Sequence, residues 1–140
     1  MRALLRWVLV ATLTVLSISK ASLFDQDITW LPLGSDIHGM STSDELGKTV
    51  TLNGDGTVLA VGAPGSGYVK AYLWTTGNDG YGNWSQLGAT IYGDIGDLSG
   101  TSIALDSSGQ KLAVGAPGYN STMGRARVYQ WNSATLVWYT

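Results

Sequence analysis

The sequence predicts an all-β protein built from repeated antiparallel units, and three observations lead to this prediction. The hexapeptide Ala-Val-Gly-Ala-Pro-Gly occurs at Ala60–Gly65 and again 53 residues later at Ala113–Gly118. In both copies, short runs of alternating or β-branched residues are separated by Gly, Asn, Asp and Ser. No helical period follows residue 22, and 19 glycines among 140 residues suit a chain with many turns.

The repetition extends beyond the hexapeptide on both sides. Trp30–Gly34 aligns with Trp84–Gly88, and Gly47–Leu52 aligns with Gly100–Leu105. After the hexapeptide, the offset between the copies grows from 53 to 57 residues. Because insertions accumulate in loops, this change predicts a longer connection at Tyr119–Met123 in the second copy.

The first two strands of each copy form a predicted hairpin. Thr49–Leu52 and Val58–Ala63 flank the turn Asn53–Gly56, whose Asn and Gly residues tolerate the positive φ angles of tight turns. Ser102–Leu105 and Lys111–Ala116 repeat the pattern in the second copy. The Pro of each hexapeptide cannot donate to a ladder, so it ends the second strand.

Two further strands complete each predicted unit. Tyr68–Trp74 and Arg125–Trp131 are the third strands, with aromatic residues two apart on one face. Trp84–Ile91 is predicted as one fourth strand, and Trp138–Thr140 is its shortened equivalent in the second copy. Four antiparallel strands in about fifty residues is the size of one β-propeller blade.

These motifs resemble the FG-GAP repeat family, the propeller repeat of integrin α-subunit heads and of many secreted proteins. The GAP tripeptide is present in both copies as Gly62, Ala63, Pro64, Gly115, Ala116 and Pro117. The FG position corresponds to Leu46-Gly47 and to Ser99-Gly100, so only its Gly is retained. The closer likeness is to a variant in secreted and surface proteins of microbial eukaryotes and marine bacteria, and it covers about residues 30–140.

The resemblance implies about two blades of an incomplete β-propeller. The domains expected from it are a signal peptide (1–21), a segment with an orphan outer strand (22–47, strand at Trp30–Ile37), blade 1 (48–92) and blade 2 with a truncated outer strand (101–140). A propeller needs about four to eight blades to close. We therefore expect a fragment of a longer chain, and the alternative is a short protein that self-associates to close a ring.

The amino terminus has the features of a secretory signal peptide, Met1–Ala21. Arg2 and Arg6 form a positive region, Trp7–Ile18 is an apolar stretch, and small residues precede the expected cleavage site before Ser22. This stretch of twelve residues is shorter than the roughly twenty residues of a membrane span. We expect a secreted or cell-surface protein without membrane insertion after signal removal, and a retained signal anchor is the alternative.

Composition excludes several classes of function. Without the signal peptide, five basic residues face ten acidic ones, which argues against nucleic acid or an anionic membrane as a partner. The absence of cysteine excludes disulfides, zinc–thiolate sites and thiol catalysis. His38 is the only histidine and has no counterpart in the second copy, so we expect no catalytic residue and no cofactor.

The resemblance implies one metal to consider, because integrin-type repeats often contain a calcium-binding loop. The matching hairpins, Asn53–Thr57 and Asp106–Gln110, each offer one carboxylate, whereas calcium takes about six to eight oxygen ligands. We therefore interpret both hairpins as tight turns, and calcium binding is the alternative. Asp44 and Asp97 occupy aligned positions, and we expect them to accept hydrogen bonds from backbone amides before the inner strand.

Two asparagines begin the acceptor sequence for N-linked glycans, Asn83 and Asn120. Each falls in a predicted loop. Asn120 is the better candidate, because Asn83 directly precedes a tryptophan that is expected to pack.

The expected function is a secreted or cell-surface binding or adhesion module without intrinsic catalysis, with a protein or a carbohydrate as its ligand. Lys70 and Arg127 lie on aligned strands beside Tyr72 and Tyr129, a pattern of either a solvated surface or a ligand-binding one. Two alternatives stay open: non-catalytic blades of a larger secreted hydrolase whose active site lies outside this chain, and a purely structural spacer.

Overall fold

The structure is a computed structural model that describes residues 30–77 and 81–140. The chain divides into two compact units, Met1–Pro32 and Leu33–Thr140, and every strand given below belongs to the second unit. The signal peptide predicted at Met1–Ala21 lies outside the described residues. Within the described ranges, no helix is long and apolar enough to cross a membrane.

The fold is all-β and contains two antiparallel sheets. The first sheet consists of β1 (Thr49–Leu52), β2 (Val58–Ala63), β3 (Tyr68–Thr76), β4 (Gly82–Gln86) and β5 (Ile91–Tyr92). Its order is β1-β2-β3-β4, and β5 also pairs with β3. The second sheet consists, in sequential order, of β6 (Ser102–Leu105), β7 (Lys111–Ala116), β8 (Arg125–Asn132) and β9 (Val137–Tyr139).

The two sheets share one pairing register. Thr49 lies opposite Gly62 in the first sheet and Ser102 lies opposite Gly115 in the second, which preserves the offset of 53 residues. The second and third strands of both sheets also pair in the same way. Here the equivalent residues are 53 apart on the second strand and 57 apart on the third strand. The inserted residues lie in a distorted four-residue helix, α1 (Tyr119–Thr122), which joins β7 to β8. The sequence alignment of the two copies is therefore confirmed by their backbone pairing.

The prediction of one continuous fourth strand over Trp84–Ile91 is wrong. The segment is divided into β4 and β5, both paired with β3. Between them, Gly88 has a φ of 77°, a left-handed conformation that interrupts an extended strand. A Cβ atom at Gly88 would lie 2.7 Å from the ring of Trp131 in the second sheet, so the break brings the chain against that ring.

The outer strand predicted at Trp30–Ile37 is likewise not a strand in the structure. Residues 33–37 form no ladder with another described strand. Gly34 has a φ of 80°, and the carbonyl of Leu33 accepts a hydrogen bond from Trp84 Nε1 at 3.0 Å. A segment becomes a strand only where a neighbouring strand pairs with its backbone groups, and this one contacts side chains instead.

The two sheets pack face to face around one hydrophobic cluster. Its buried members come from both sheets: Ala60, Val69, Ala71, Ile91, Leu112, Val114, Tyr129 and Trp138. Hydrogen bonds also cross between the sheets, among them those from Thr49 Oγ1 to Gly100 O at 2.7 Å and from Gly54 N to Ser107 O at 3.0 Å. Strands β1 and β6 consequently lie next to each other.

Candidate functional site at the Asp44 and Asp97 loops

The loops before β1 and β6 each present an aspartate to the last glycine of a hexapeptide. Gly65 N donates to Asp44 O at 3.1 Å, and Gly118 N donates to Asp97 O at 2.9 Å. A side chain at either glycine would collide with the backbone of the facing loop. The close approach explains why both hexapeptides end in glycine.

The carboxylate of Asp44 is buried and bonded on both oxygens. Oδ2 accepts from the backbone N–H groups of Met40 at 2.6 Å and Ser41 at 2.9 Å. Oδ1 accepts from the hydroxyls of Ser41 at 2.7 Å and Ser66 at 2.6 Å, and Tyr68 OH donates to Oδ2 at 2.7 Å. These bonds, the one from Ser66 foremost, hold the pKa of Asp44 well below its usual value of 3.8.

Tyr68, whose side chain is fully buried, supplies one of the hydroxyl donors of this network. Burial raises the pKa of Tyr68 to about 12, and its hydrogen bond to Asp44 acts in the same direction. Tyr68 therefore stays a protonated donor over the physiological pH range, and the pair links β3 to the loop before β1.

Asp97 has the same place in the second repeat but a different partner. Its carboxylate is buried and accepts from the backbone N–H groups of Asp94 and Ser99, both at 2.8 Å. Arg125 Nη2 donates to Asp97 at 3.0 Å and Nη1 donates to Asp94 at 2.7 Å. The guanidinium lies 3.9 Å from the ring centroid of Tyr119. Both aspartates thus bond to backbone amides before the inner strand, as the sequence analysis expected.

A concave groove lies between the turn that joins β2 to β3 and the Asp97 loop. It has a volume of about 310 Å³ and is lined by Pro64–Gly67 on one side and by Tyr92–Gly96 with Leu98 on the other. Ile95 is fully exposed and Tyr92 is largely exposed. The groove therefore combines apolar, aromatic and carboxylate groups on one accessible surface. Nothing in the sequence pattern marked this groove, because its two sides are separate segments of the chain that only the fold brings together.

The hairpin turns use their carboxylates locally. Asp55 Oδ1 accepts from Thr57 N at 3.0 Å and from Thr57 Oγ1 at 2.6 Å. Asp106 Oδ1 accepts from the backbone N–H groups of Gln110 at 2.9 Å and Lys111 at 2.8 Å. The pKa of each is lowered, chiefly by a hydroxyl, that of Thr57 for Asp55 and that of Ser108 for Asp106. Over residues 30–77 and 81–140, no three His, Asp or Glu side chains converge as a metal site.

The GAP tripeptides lie at the carboxyl ends of β2 and β7. Gly62 O accepts a hydrogen bond from Gly47 N, and Gly115 O accepts one from Gly100 N, both at 3.1 Å. Gly47 and Gly100 have φ angles of 93° and 92°. Only glycine adopts such angles easily, which explains the glycine at both of these positions.

The two glycan acceptor sequences lie in different settings. Asn120 is exposed in α1. Asn83 lies in β4 rather than in the predicted loop, because that strand already begins at Gly82. Asn83 Oδ1 accepts from Ser35 N at 3.0 Å and from Trp84 N at 2.9 Å, so its amide is oriented by the protein.

The remaining residues singled out in the sequence lie away from the groove. His38 is exposed, and Arg127 is half-buried. Lys70 Nζ lies 5.7 Å from the ring centroid of Tyr68 rather than over Tyr72. Alternate residues of a strand share a face, so Lys70 lies between these two tyrosines on one side of β3.

A repeated contact between tryptophans was not foreseen. Trp74 lies opposite Trp84 in the first sheet, and Trp131 lies opposite Trp138 in the second. The ring centroids are 5.3 Å apart in each pair, within the range of favourable aromatic contacts.

Each tryptophan pair is contacted by the Leu-Gly segment that precedes its repeat, and we call this contact the Leu-Gly latch. Trp84 Nε1 donates to Leu33 O, and Trp138 Nε1 donates to Leu87 O, both at 3.0 Å. The glycine after each leucine lies against the same rings. The sequence aligned these segments at a spacing of 54 residues, but only the structure brings each one onto the next repeat.

No family model, curated protein or solved structure matches this chain. The FG-GAP resemblance therefore stays a prediction.

Proposed function

We propose that the two sheets are adjacent β-propeller blades of FG-GAP type and that the chain is a secreted or cell-surface binding module. The observation that carries this proposal is the Leu-Gly latch, which occurs twice with the same atoms and the same 3.0 Å distance. It joins the outer segment of one repeat to the tryptophan pair of the next. Such a link gives successive units one fixed relation, as a propeller requires.

The packing of the sheets supports the same proposal. Each sheet has four strands in simple meander order, apart from the short β5. The first strands of the two sheets are neighbours, and the sheets pack through their faces rather than through their edges. Radially repeated four-stranded sheets of this kind form propellers when enough of them are present, so the chain represents part of a larger assembly.

The groove between the β2–β3 turn and the Asp97 loop is the surface that we assign to ligand binding. Loops held by a rigid sheet scaffold are the usual place of binding residues. Here the loops are fixed by buried carboxylates, while Tyr92, Asp94 and Ile95 face the concave surface. An aromatic ring, an apolar side chain and a carboxylate suit a protein or carbohydrate ligand.

The test is binding of the full chain to arrays of purified glycans and extracellular-matrix proteins. We expect saturable binding to at least one arrayed ligand. Replacing Ile95 with Asp should weaken that binding about tenfold or more, which corresponds to about 1.4 kcal/mol. The matched control is Leu136→Asp, since Leu136 is also an exposed apolar residue but lies in the β8–β9 turn.

Two binding outcomes would contradict the proposal. One is the absence of any ligand, and the other is a ligand whose affinity is equally insensitive to both substitutions. Hydrolysis of an arrayed glycan by this chain would contradict both the non-catalytic binding module and the alternative in which the active site of a hydrolase lies outside this chain.

A further inference from the structure

Each sheet has two faces, and the face of the second sheet that points away from the first sheet is uncovered. The corresponding face of the first sheet is buried against the second sheet. Ala60 and Ala71 of the first sheet face the second sheet and are 0% and 1% exposed. Their equivalents at the offsets of 53 and 57 residues are Ala113, which is half-buried, and Val128, which is 61% exposed. The second sheet therefore leaves uncovered the face through which the first sheet packs.

The face of the first sheet that points away from the second sheet is exposed along β1, whereas the corresponding face of the second sheet is buried. Ile103 and Leu105 of the second sheet pack against the hydrophobic cluster. Their equivalents in the first sheet are Val50 and Leu52, which are 59% and 52% exposed. On the same face, Val61 of β2 and Tyr72 of β3 are only 5% and 7% exposed, so the uncovered half of this interface in the first sheet is strand β1.

The two open faces are complementary in shape. The open face of the second sheet carries a shallow concavity of about 180 Å³, whose lining includes Ala104, Ala113 and Ala126. The open face of the first sheet carries the larger side chains of Val50 and Leu52. In the internal interface, Thr51 meets Leu105, with Leu105 N donating to Thr51 Oγ1 at 3.5 Å. The equivalent contact between two copies would join Ala104 of one to Leu52 of the other.

The charges at the open faces are also complementary. Within the chain, Val58 lies against Gly109, where an added Cβ would be 2.8 Å from the valine. The equivalent contact between copies brings Lys111 of one molecule to Gly56 of the next. Asp55 directly precedes Gly56 and is exposed, so a cation would meet a carboxylate there.

We propose that a second copy of this chain stacks on the first, head to tail, with the open face of its first sheet on the open face of the second sheet. The interface is heterologous, so repeated stacking generates a ring where the rotation closes. Propellers hold about four to eight blades, and a ring of two-sheet chains would therefore contain about two to four copies. The inference rests on the repeated faces and does not require the groove to bind a ligand.

The first experiment measures the mass of the purified full chain by size-exclusion chromatography with light scattering. We expect about two to four times the mass of one chain. Ala104→Lys alone and Leu52→Glu alone should each give the mass of a single chain, because each buries an unpaired charge in the interface. The double variant should regain the assembled mass, since each interface then pairs a Lys with a Glu.

Thr135→Lys is the matched control, because Thr135 is exposed in the β8–β9 turn outside both open faces. It should keep the mass of the unmodified chain. A monomeric unmodified chain at the highest attainable concentration would overturn the proposal. So would an assembly that persists in both single variants, or a double variant that stays monomeric.

A second measurement does not depend on how the charged variants fold. The chain contains no cysteine, so Ala104→Cys and Leu52→Cys each introduce one thiol. Under oxidising conditions, the mixture of the two variants should form a covalent dimer, whereas neither variant should do so alone. A dimer of Ala104→Cys by itself would indicate a symmetric interface and overturn head-to-tail stacking. Absence of a cross-link in the mixture would overturn it as well.

Discussion

At the scale of single residues, equivalent aspartates in the two repeats fix the same loop but bond to different side chains. Asp44 and Asp97 both brace the loop before an inner strand and both bond to the backbone of that loop. Asp44 adds hydroxyl donors, among them Tyr68, whereas Asp97 adds the guanidinium of Arg125. Tyr68 and Arg125 occupy equivalent positions on β3 and β8, so the repeat retains the acceptor while its donor has changed.

The lowered pKa of Asp44 predicts a loss of stability in acid. Its folded-state pKa lies below the usual 3.8, so the unfolded chain binds more protons as the pH falls. The stabilisation is fully present above that value and is lost progressively below it. Urea unfolding followed by tryptophan fluorescence across acidic pH should show this decline.

The Asp44→Asn variant should be less stable at neutral pH and should show a shallower acid decline. The decline should not vanish, because the pKa values of Asp55 and Asp106 are also lowered. An acid profile parallel to that of the unmodified chain would contradict the assignment of this contribution to Asp44.

The hydroxyl of Tyr68 should be worth a measurable amount of stability. Tyr68→Phe removes the donor to Asp44 and should lower the free energy of unfolding by about 1–2 kcal/mol. Tyr92→Phe is the control, because Tyr92 lies opposite Tyr68 in the β3–β5 ladder and its exposed hydroxyl donates to Met40 Sδ at 3.9 Å, a long contact with a weak acceptor. Equal effects of the two substitutions would argue against the buried network.

At the scale of elements, the repeated motifs mark where strands end and where units meet. The Pro and Gly of each hexapeptide follow the second strand and fit against the facing loop. Strand β4 ends directly before Leu87, and the Leu-Gly latch brings Gly88 against the tryptophan pair of the second sheet. The glycines here are required by close contact as well as by backbone angle.

Gly88→Ala tests the latch directly. Gly88 and Gly96 have nearly the same φ, 77° and 76°, but an added Cβ would meet Trp131 at 2.7 Å only at Gly88. Gly96→Ala should cost about 1–2 kcal/mol of stability, from the left-handed backbone alone. Gly88→Ala should cost about 1–3 kcal/mol more, from the collision with the ring. Equal losses in chemical denaturation would show that the latch is not tightly packed.

At the scale of the whole molecule, the described sheets depend on one shared core. Leu112 is fully buried in the cluster that both sheets build, and it belongs to the second sheet. The same cluster contains Ala60 and Ala71 of the first sheet, so neither sheet buries its apolar face by itself. We therefore expect the two sheets to unfold in one transition.

Leu112→Ala should lower the free energy of unfolding by about 2–5 kcal/mol, because it leaves a cavity between the sheets. Leu73→Ala is the matched control and should cost about 1 kcal/mol or less, since Leu73 is exposed on β3. Circular dichroism and tryptophan fluorescence should report the same midpoint in each variant. Separate transitions for two populations of tryptophans would contradict the shared core.

Local signals predicted most of the strands. The limits of β1, β2, β6 and β7 agree with the sequence prediction residue by residue, because turn residues and proline mark both ends of each hairpin. The break between β4 and β5 was not predictable, since the ring that requires it lies in the other sheet. The sequence predicts a loop at Asn83 for a related reason. This segment is a strand because it pairs with β3, and its own residues do not indicate a strand.

The sequence by itself determined the repeat, the strand limits and the alignment of the two copies, because these depend on alternation, glycine and proline within short segments. Only the tertiary structure decided which faces of the sheets are covered, where the groove lies, and that each Leu-Gly segment contacts the tryptophans of the next repeat. Those features join residues about fifty positions apart, as between Trp138 and Leu87. Aligned positions of the two repeats have different exposure because burial depends on the neighbouring sheet, which no local pattern encodes.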